Sequence, residues 1–97
     1  MSVLMTLRVS GDPRAIEAFD RDVLKTVSAR GRELGAIHHR FYGSETEVLV
    51  IDEWPDEASF QAFFDASPEI KQMMDGAGVT SAPQIDFWRV LDVDDAF

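Results

Sequence analysis

Apolar and polar residues alternate in the first segment of the chain. Every odd-numbered residue from 3 to 9 is apolar, while Thr6 and Arg8 stand among the even-numbered ones. A repeat of two residues is typical of a β-strand with one buried face. The pattern therefore predicts a first strand over residues 3–9.

A helix is predicted next. The carboxylate of Asp12 is suited to accept the free N–H groups of a first turn, and Pro13 can occupy the first helical position without losing a hydrogen bond. The apolar positions with helical spacing are Ile16, Phe19, Val23 and Val27. We expect one continuous helix that ends near Gly31 or Gly35.

Two further strands form a predicted hairpin, over residues 36–42 and 47–54. The second has a continuous apolar centre, which is typical of a central strand covered on both faces. The register between them stays open. A two-residue turn at Ser44-Glu45 would put His39 on the face of Asp52, whereas a three-residue turn would put His38 directly opposite Asp52.

The remaining elements are a second helical region and a last strand. Phe60, Phe63 and Phe64 form the apolar stripe of the first helix in that region. Ser67 is the expected N-cap of a short second helix. The last strand is predicted over residues 85–91, and residues 92–97 form an acidic tail.

The order β-α-β-β-α-β predicts an α+β, ferredoxin-like fold. Such a domain has a four-stranded antiparallel sheet with its main helices on one face. The other face of this sheet would carry many apolar residues, and an uncovered face of that kind is unusual. We therefore expect a homodimer in which two sheets pack face to face, as in a dimeric α/β barrel.

Length and charge narrow the functional class. The 97 residues are expected to form a single domain, 1–97. The net charge of −9 lies wholly in residues 51–97, which argues against partners such as nucleic acid or an anionic membrane surface. The chain has no cysteine, no metal-ligand spacing and no evident signal peptide, so we expect a cytoplasmic protein without a metal.

One segment resembles a known family. Residues 48–64, VLVIDEWPDEASFQAFF, consist of a β-branched strand ending in Trp54 and an acidic helix start, with Phe60 six residues after the tryptophan. The last strand, residues 85–91, fits as well. This pattern is similar to that of the antibiotic biosynthesis monooxygenase family of the dimeric α/β-barrel superfamily. The resemblance covers most of the chain.

The resemblance implies a dimer with a pocket between helices and sheet in each subunit. Cofactor-independent members oxidise polycyclic aromatic phenols and rely on the tryptophan that Trp54 matches. Haem-degrading members need a histidine where this chain has Met73 or Met74, a pocket tryptophan where it has Phe63, and an asparagine on the first strand, which has none. The implied activity therefore needs no cofactor.

The candidate catalytic residues are His38, His39 and Asp52. Neighbouring strand residues point to opposite faces, so the two histidines cannot share one metal ion. Either hairpin register brings one of them near Asp52. A histidine oriented by a carboxylate is a suitable general base. The alternative is a structural hydrogen-bonded pair at a dimer interface.

Five residues are candidates for binding a flat aromatic substrate. Trp54 and one of Phe87 or Trp88 would form pocket walls, and Tyr42 could donate a proton to a phenolate oxygen. Arg40, like the other strand arginines, needs a carboxylate such as Asp52, Asp86 or Glu47, or an anionic ligand.

These observations favour a cofactor-independent monooxygenase, an oxidoreductase acting on a small aromatic or enolisable metabolite. The alternative is a non-catalytic dimer that binds a small molecule or has a structural role. An open cavity of a few hundred Å³ lined by a histidine, Asp52 and Trp54 would favour an enzyme or a binder. A cavity filled by Phe and Met side chains would exclude both.

Overall fold

The chain forms an antiparallel sheet with helices packed on one face. This architecture is seen in a computed structural model, which describes all residues from 1 to 97. The elements are β1 (Val3–Ser10), α1 (Pro13–Glu17), α2 (Arg21–Glu33), β2 (His38–Gly43), β3 (Glu47–Trp54), α3 (Glu57–Asp65), α4 (Pro68–Gly76) and β4 (Gln84–Trp88). The strand order is β2-β3-β1-β4, and all neighbours are antiparallel. The predicted ferredoxin-like α+β fold is confirmed.

The first helical region is divided, and the expectation of one continuous helix is wrong. α1 begins at Pro13, as predicted, with Asp12 accepting from the N–H of Arg14 at 3.0 Å. Asp20 then caps α2 by accepting from the N–H groups of Asp22 and Val23, so its carboxylate starts a new helix. α2 ends just before Gly35, whose φ of +111° suits glycine. None of the helices is long and apolar enough to cross a membrane.

Two strand boundaries differ from those predicted. β2 begins at His38 and not at residue 36, because the N–H of Ala36 still bonds to the carbonyl of Gly31 at the end of α2. β4 ends at Trp88 and not at residue 91. In this register Arg89 would lie opposite Val3, the first residue of β1, so residues 90 and 91 have no strand to pair with. The acidic residues after β4 are exposed and outside any helix or strand.

The two faces of the sheet have different environments. The inner face, beneath the helices, carries the core, and Met5, Trp54 and Phe60 are its largest fully buried side chains. On the outer face Leu49 and Ile51 of β3 are only half-buried. β3 is therefore a central strand, as predicted, but in the single chain it is covered on one face only.

Candidate active site

The β2–β3 hairpin places His39 directly opposite Asp52. The pairing of Gly43 with Val48 continues to Ser44, whose N–H donates to the carbonyl oxygen of Glu47 at 3.0 Å. The turn therefore lies one residue later than Ser44-Glu45, and neither of the two predicted registers is the observed one. This displacement has a local cause. The hydroxyl oxygen of Ser44 accepts from the N–H groups of Thr46 and Glu47, at 3.2 and 2.9 Å.

Asp52 joins two other side chains in one hydrogen-bonded network. Its Oδ1 lies 2.7 Å from His39 Nδ1, and its Oδ2 accepts from Trp54 Nε1 at 3.1 Å. Asp52 and Trp54 are only 4% and 1% exposed, while the His39 side chain is 41% exposed. The buried carboxylate therefore has a partner for each oxygen, and only the histidine of this network reaches solvent.

The network determines which nitrogen of His39 is free to react. An ionised carboxylate only accepts hydrogen bonds, so Nδ1 must carry the proton. Nε2 then has a lone pair and makes no hydrogen bond within the chain. The ring also packs edge-on against Phe41, with centroids 4.9 Å apart. This arrangement holds a basic nitrogen in a defined orientation.

His39, Asp52 and Trp54 all line one cavity, of about 680 Å³. It lies between α2 and the inner face of the sheet, and α3 and α4 contribute the rest of its wall. Nineteen of its 27 lining residues are hydrophobic, so a bound molecule would contact mainly carbon. Its size suits a ligand of two or three fused rings.

An aromatic cluster forms the deep wall beside Asp52. The rings of Trp54 and Phe63 are 5.3 Å apart, and Phe60 meets Trp54 edge-on at 5.8 Å. Phe87 of β4 packs edge-on against Phe60 at 5.7 Å but does not line the cavity. Phe87 thus supports the wall from behind.

The other predicted site residues lie on the outer face of the sheet. His38 is paired with Glu53, and Arg40 and Tyr42 follow it at alternate positions of β2. Trp88 donates through Nε1 to Thr6 Oγ1 at 2.9 Å. Strand alternation therefore separates these four side chains from the His39 network. Because β2 is an edge strand, His38 still borders the cavity.

The strand arginines have few carboxylate partners. Arg8 makes an exposed ion pair with Glu47, at 3.4 Å, which is one of the predicted pairings. Neither Arg40 nor Arg89 has a carboxylate within 4.0 Å.

A second charged contact fastens α2 to α4. The two terminal nitrogens of Arg30 donate to the two carboxylate oxygens of Glu69 at 2.8 and 3.0 Å. This contact lowers the pKa of Glu69 to about 2 and raises that of Arg30. Ser67 is the N-cap residue of α4, as predicted, but its hydroxyl makes no capping hydrogen bond and instead accepts one from Arg30.

The sequence interpretation missed the contribution of α2 to the cavity. The exposed residues of α2 that line it are Arg21, Lys25, Ser28 and Arg32. Their spacing of four, three and four residues is that of one stripe on a helix. That spacing was the available signal.

No three His, Cys, Asp or Glu side chains come together in a cluster that could hold a metal ion.

Comparisons with known proteins show similarity of fold only. No family model matches the chain, and no curated protein matches it. Solved structures do match. SnoaB, a cofactor-independent oxygenase from Streptomyces nogalater, is 16% identical with a TM-score of 0.64, and 98% of each chain is covered.

Two further solved structures match this chain with similar TM-scores. A monooxygenase from the gene ActVA-Orf6 of Streptomyces coelicolor, in complex with nanaomycin D, is 16% identical with a TM-score of 0.67, covering 95% of this chain and 89% of that one. A putative antibiotic biosynthesis monooxygenase from Deinococcus radiodurans is 12% identical with a TM-score of 0.66, covering 98% of each. The chain therefore has the fold of the antibiotic biosynthesis monooxygenases.

Proposed function

We propose that this protein is a cofactor-independent monooxygenase acting on a small aromatic or enolisable metabolite, with His39 as its general base. The observation that carries the proposal is the network in which Asp52 orients His39 at the wall of an apolar cavity of about 680 Å³. The shared fold with a cofactor-independent oxygenase supports the same reaction class.

The proposed reaction begins with proton removal. Nε2 of His39 takes a proton from an acidic C–H or O–H group of the substrate, and Asp52 stabilises the resulting imidazolium. The substrate becomes an electron-rich carbanion or phenolate, which reduces O₂ by electron transfer. For an anthrone-like CH₂ group, combination with oxygen and loss of water gives a carbonyl, so that R₂CH₂ and O₂ yield R₂C=O and H₂O.

The remaining residues of the cavity hold the substrate. Trp54 and Phe63 offer aromatic surface against which a flat ring system can pack. The apolar wall excludes water from the reacting carbon, which protects the carbanion from simple reprotonation. Tyr42, Arg40 and Trp88 have no part in this proposal, because their strand positions place them on the other face of the sheet.

A homodimer through the outer face of the sheet is part of the proposal. Leu4, Tyr42 and Trp88 are 39%, 46% and 54% exposed there, beside the half-buried Leu49 and Ile51. Burial of these side chains against a second copy would remove an unusual apolar patch from water. Light scattering at micromolar concentration should give twice the chain mass, and a monomer mass would contradict the dimer.

The enzymatic proposal is tested by oxygen consumption with a panel of anthrone-like compounds and phenols. We expect one O₂ consumed per carbonyl formed, and a large loss of rate in His39→Ala. His38→Ala is the matched comparison, because it removes the neighbouring imidazole, which borders the cavity but makes no hydrogen bond to Asp52. Equal losses in the two variants would contradict the assignment to His39. No oxygen uptake with any compound, together with tight binding of some, would favour the non-catalytic small-molecule binder.

A further inference from the structure

Three basic side chains line the exposed side of the cavity. Arg21, Lys25 and Arg32 lie on one stripe of α2, with Ser28 between the last two. Arg21 and Arg32 are eleven positions apart, which is about 16 Å along a helix, so the stripe is as long as a molecule of three fused rings and its substituent. All four side chains are exposed, as residues at the mouth of a cavity should be.

The charges of this stripe are unpaired. None of its three cations lies within 4.0 Å of a carboxylate, although the chain has 18 acidic residues and only 9 basic ones. The only hydrogen bond made by these three side chains is from Arg21 to the carbonyl oxygen of Glu17 at 2.7 Å. Asp52 is the one acidic residue that lines the cavity.

The fourth basic residue of α2 behaves differently. Arg30 points away from this stripe and makes a bidentate ion pair with Glu69. An ordinary solvated helix face in a protein of net charge −9 would be expected to attract some of the surplus carboxylates. Their absence leaves a positive potential concentrated at the entrance of an apolar cavity.

The two ends of the cavity therefore favour different parts of a ligand. Trp54 and Phe63 at the deep wall favour an aromatic body, and the buried carboxylate of Asp52 repels a second anion there. Lys25 and Arg32 at the mouth favour an anionic group. We infer that the substrate is an aromatic carboxylate, bound with its rings beside His39 and its carboxylate against the α2 stripe. This inference rests on the proposed function for the identity of the site.

The test compares two probes with the same ring system, the anionic anthracene-2-carboxylate and the neutral 2-(hydroxymethyl)anthracene. Binding is measured by ligand fluorescence without oxygen, so that turnover plays no part. We expect the carboxylate to bind about tenfold more tightly at low salt, which corresponds to about 1.4 kcal/mol. The preference should decrease at 1 M NaCl, where charges are screened within about 3 Å.

Variants then locate the preference. The double variant Lys25→Gln/Arg32→Gln should bind the two probes equally, while its affinity for the neutral probe stays within about twofold. Arg89→Gln is the matched control, because Arg89 is exposed, has no ion pair and does not line the cavity. It should keep the full preference.

Three results would overturn the inference. They are equal binding of the two probes to the native protein, no binding of either probe, and an equal loss of preference in Arg89→Gln, which would indicate an effect of net charge only. Failure of the proposed function is a separate result. In that case the carboxylate binds with the expected preference, but His39→Ala has no effect on any measured turnover.

Discussion

The carboxylates of Asp52 and Glu69 are similar in their hydrogen bonding and different in what their partners can do. Each uses both oxygens, Asp52 with His39 and Trp54, and Glu69 with the two terminal nitrogens of Arg30. Histidine exchanges a proton near neutral pH, whereas arginine stays charged. An ion pair between groups that both stay charged near neutral pH fastens two helices together, while a carboxylate that orients a histidine at a cavity can support proton transfer.

The largest effect is expected on activity, from Asp52→Asn. The asparagine amide can donate to Nδ1 of His39, which would move the ring proton to Nε2 and remove the free lone pair. We expect the rate of oxygen uptake to decrease about 100-fold to 10,000-fold, the usual contribution of general base catalysis. Unfolding in urea should show that the variant is folded. An unchanged rate would show that His39 is not the base.

The next largest effect is expected on stability, from Asp52→Ala. This change leaves the buried Trp54 Nε1–H without an acceptor. We expect the free energy of unfolding to decrease by about 1–3 kcal/mol, the usual cost of an unsatisfied buried donor. Asp52→Asn is the control, because its amide oxygen can still accept from Trp54. Equal stability of the alanine variant and the native protein would contradict the packing described for this site.

Glu69→Gln should change stability without changing the chemistry. The pKa of Glu69 is lowered from 4.5 to about 2 by Arg30, so its ion pair stabilises the folded chain fully above pH 4.5. That stabilisation is lost as the pH falls from 4.5 to 2. Urea unfolding should therefore show the variant less stable at pH 7 and closer to the native protein at pH 3. A difference that grows toward low pH would contradict this account.

The smallest effect is expected from an exposed pair. Lys71 and Asp75 are four residues apart on α4, 2.8 Å from each other, and their side chains are 77% and 59% exposed. Lys71→Gln should lower the free energy of unfolding by only about 0.3–0.5 kcal/mol, and not at all at high salt. Urea unfolding with and without 1 M NaCl measures the contribution of this pair. A decrease of more than about 1 kcal/mol in the free energy of unfolding would contradict the prediction.

Local patterns predicted most of the fold. The alternation in β1, the capping by Asp12 and the apolar run in β3 each depend on neighbours in the sequence, and each led to the correct element. The break before α2 was missed because the helical spacing of Phe19 and Val23 continues across it, although an aspartate between them, Asp20, also favours an N-cap position. The end of β4 was misplaced because the length of its partner strand limits it, and the start of β2 because the last turn of α2 holds Ala36.

The candidate site was predicted in part. The prediction that one histidine approaches Asp52 is confirmed, and the network adds Trp54, whose indole bonds to the same carboxylate. Arg40 and Tyr42 were grouped with the pocket because a sequence pattern does not state which face of an edge strand the helices cover. The catalytic and binding roles of all these residues stay predictions.

The order of the strands and the placement of His38 and His39 on opposite sides of a sheet follow from local sequence, because strand alternation is a local property of the backbone. The contact of His39 with Asp52 does not, since it depends on a hairpin register set by the Ser44 turn. The tertiary structure also decided that the basic stripe of α2 borders the cavity, because the packing of a helix on a sheet is a long-range outcome.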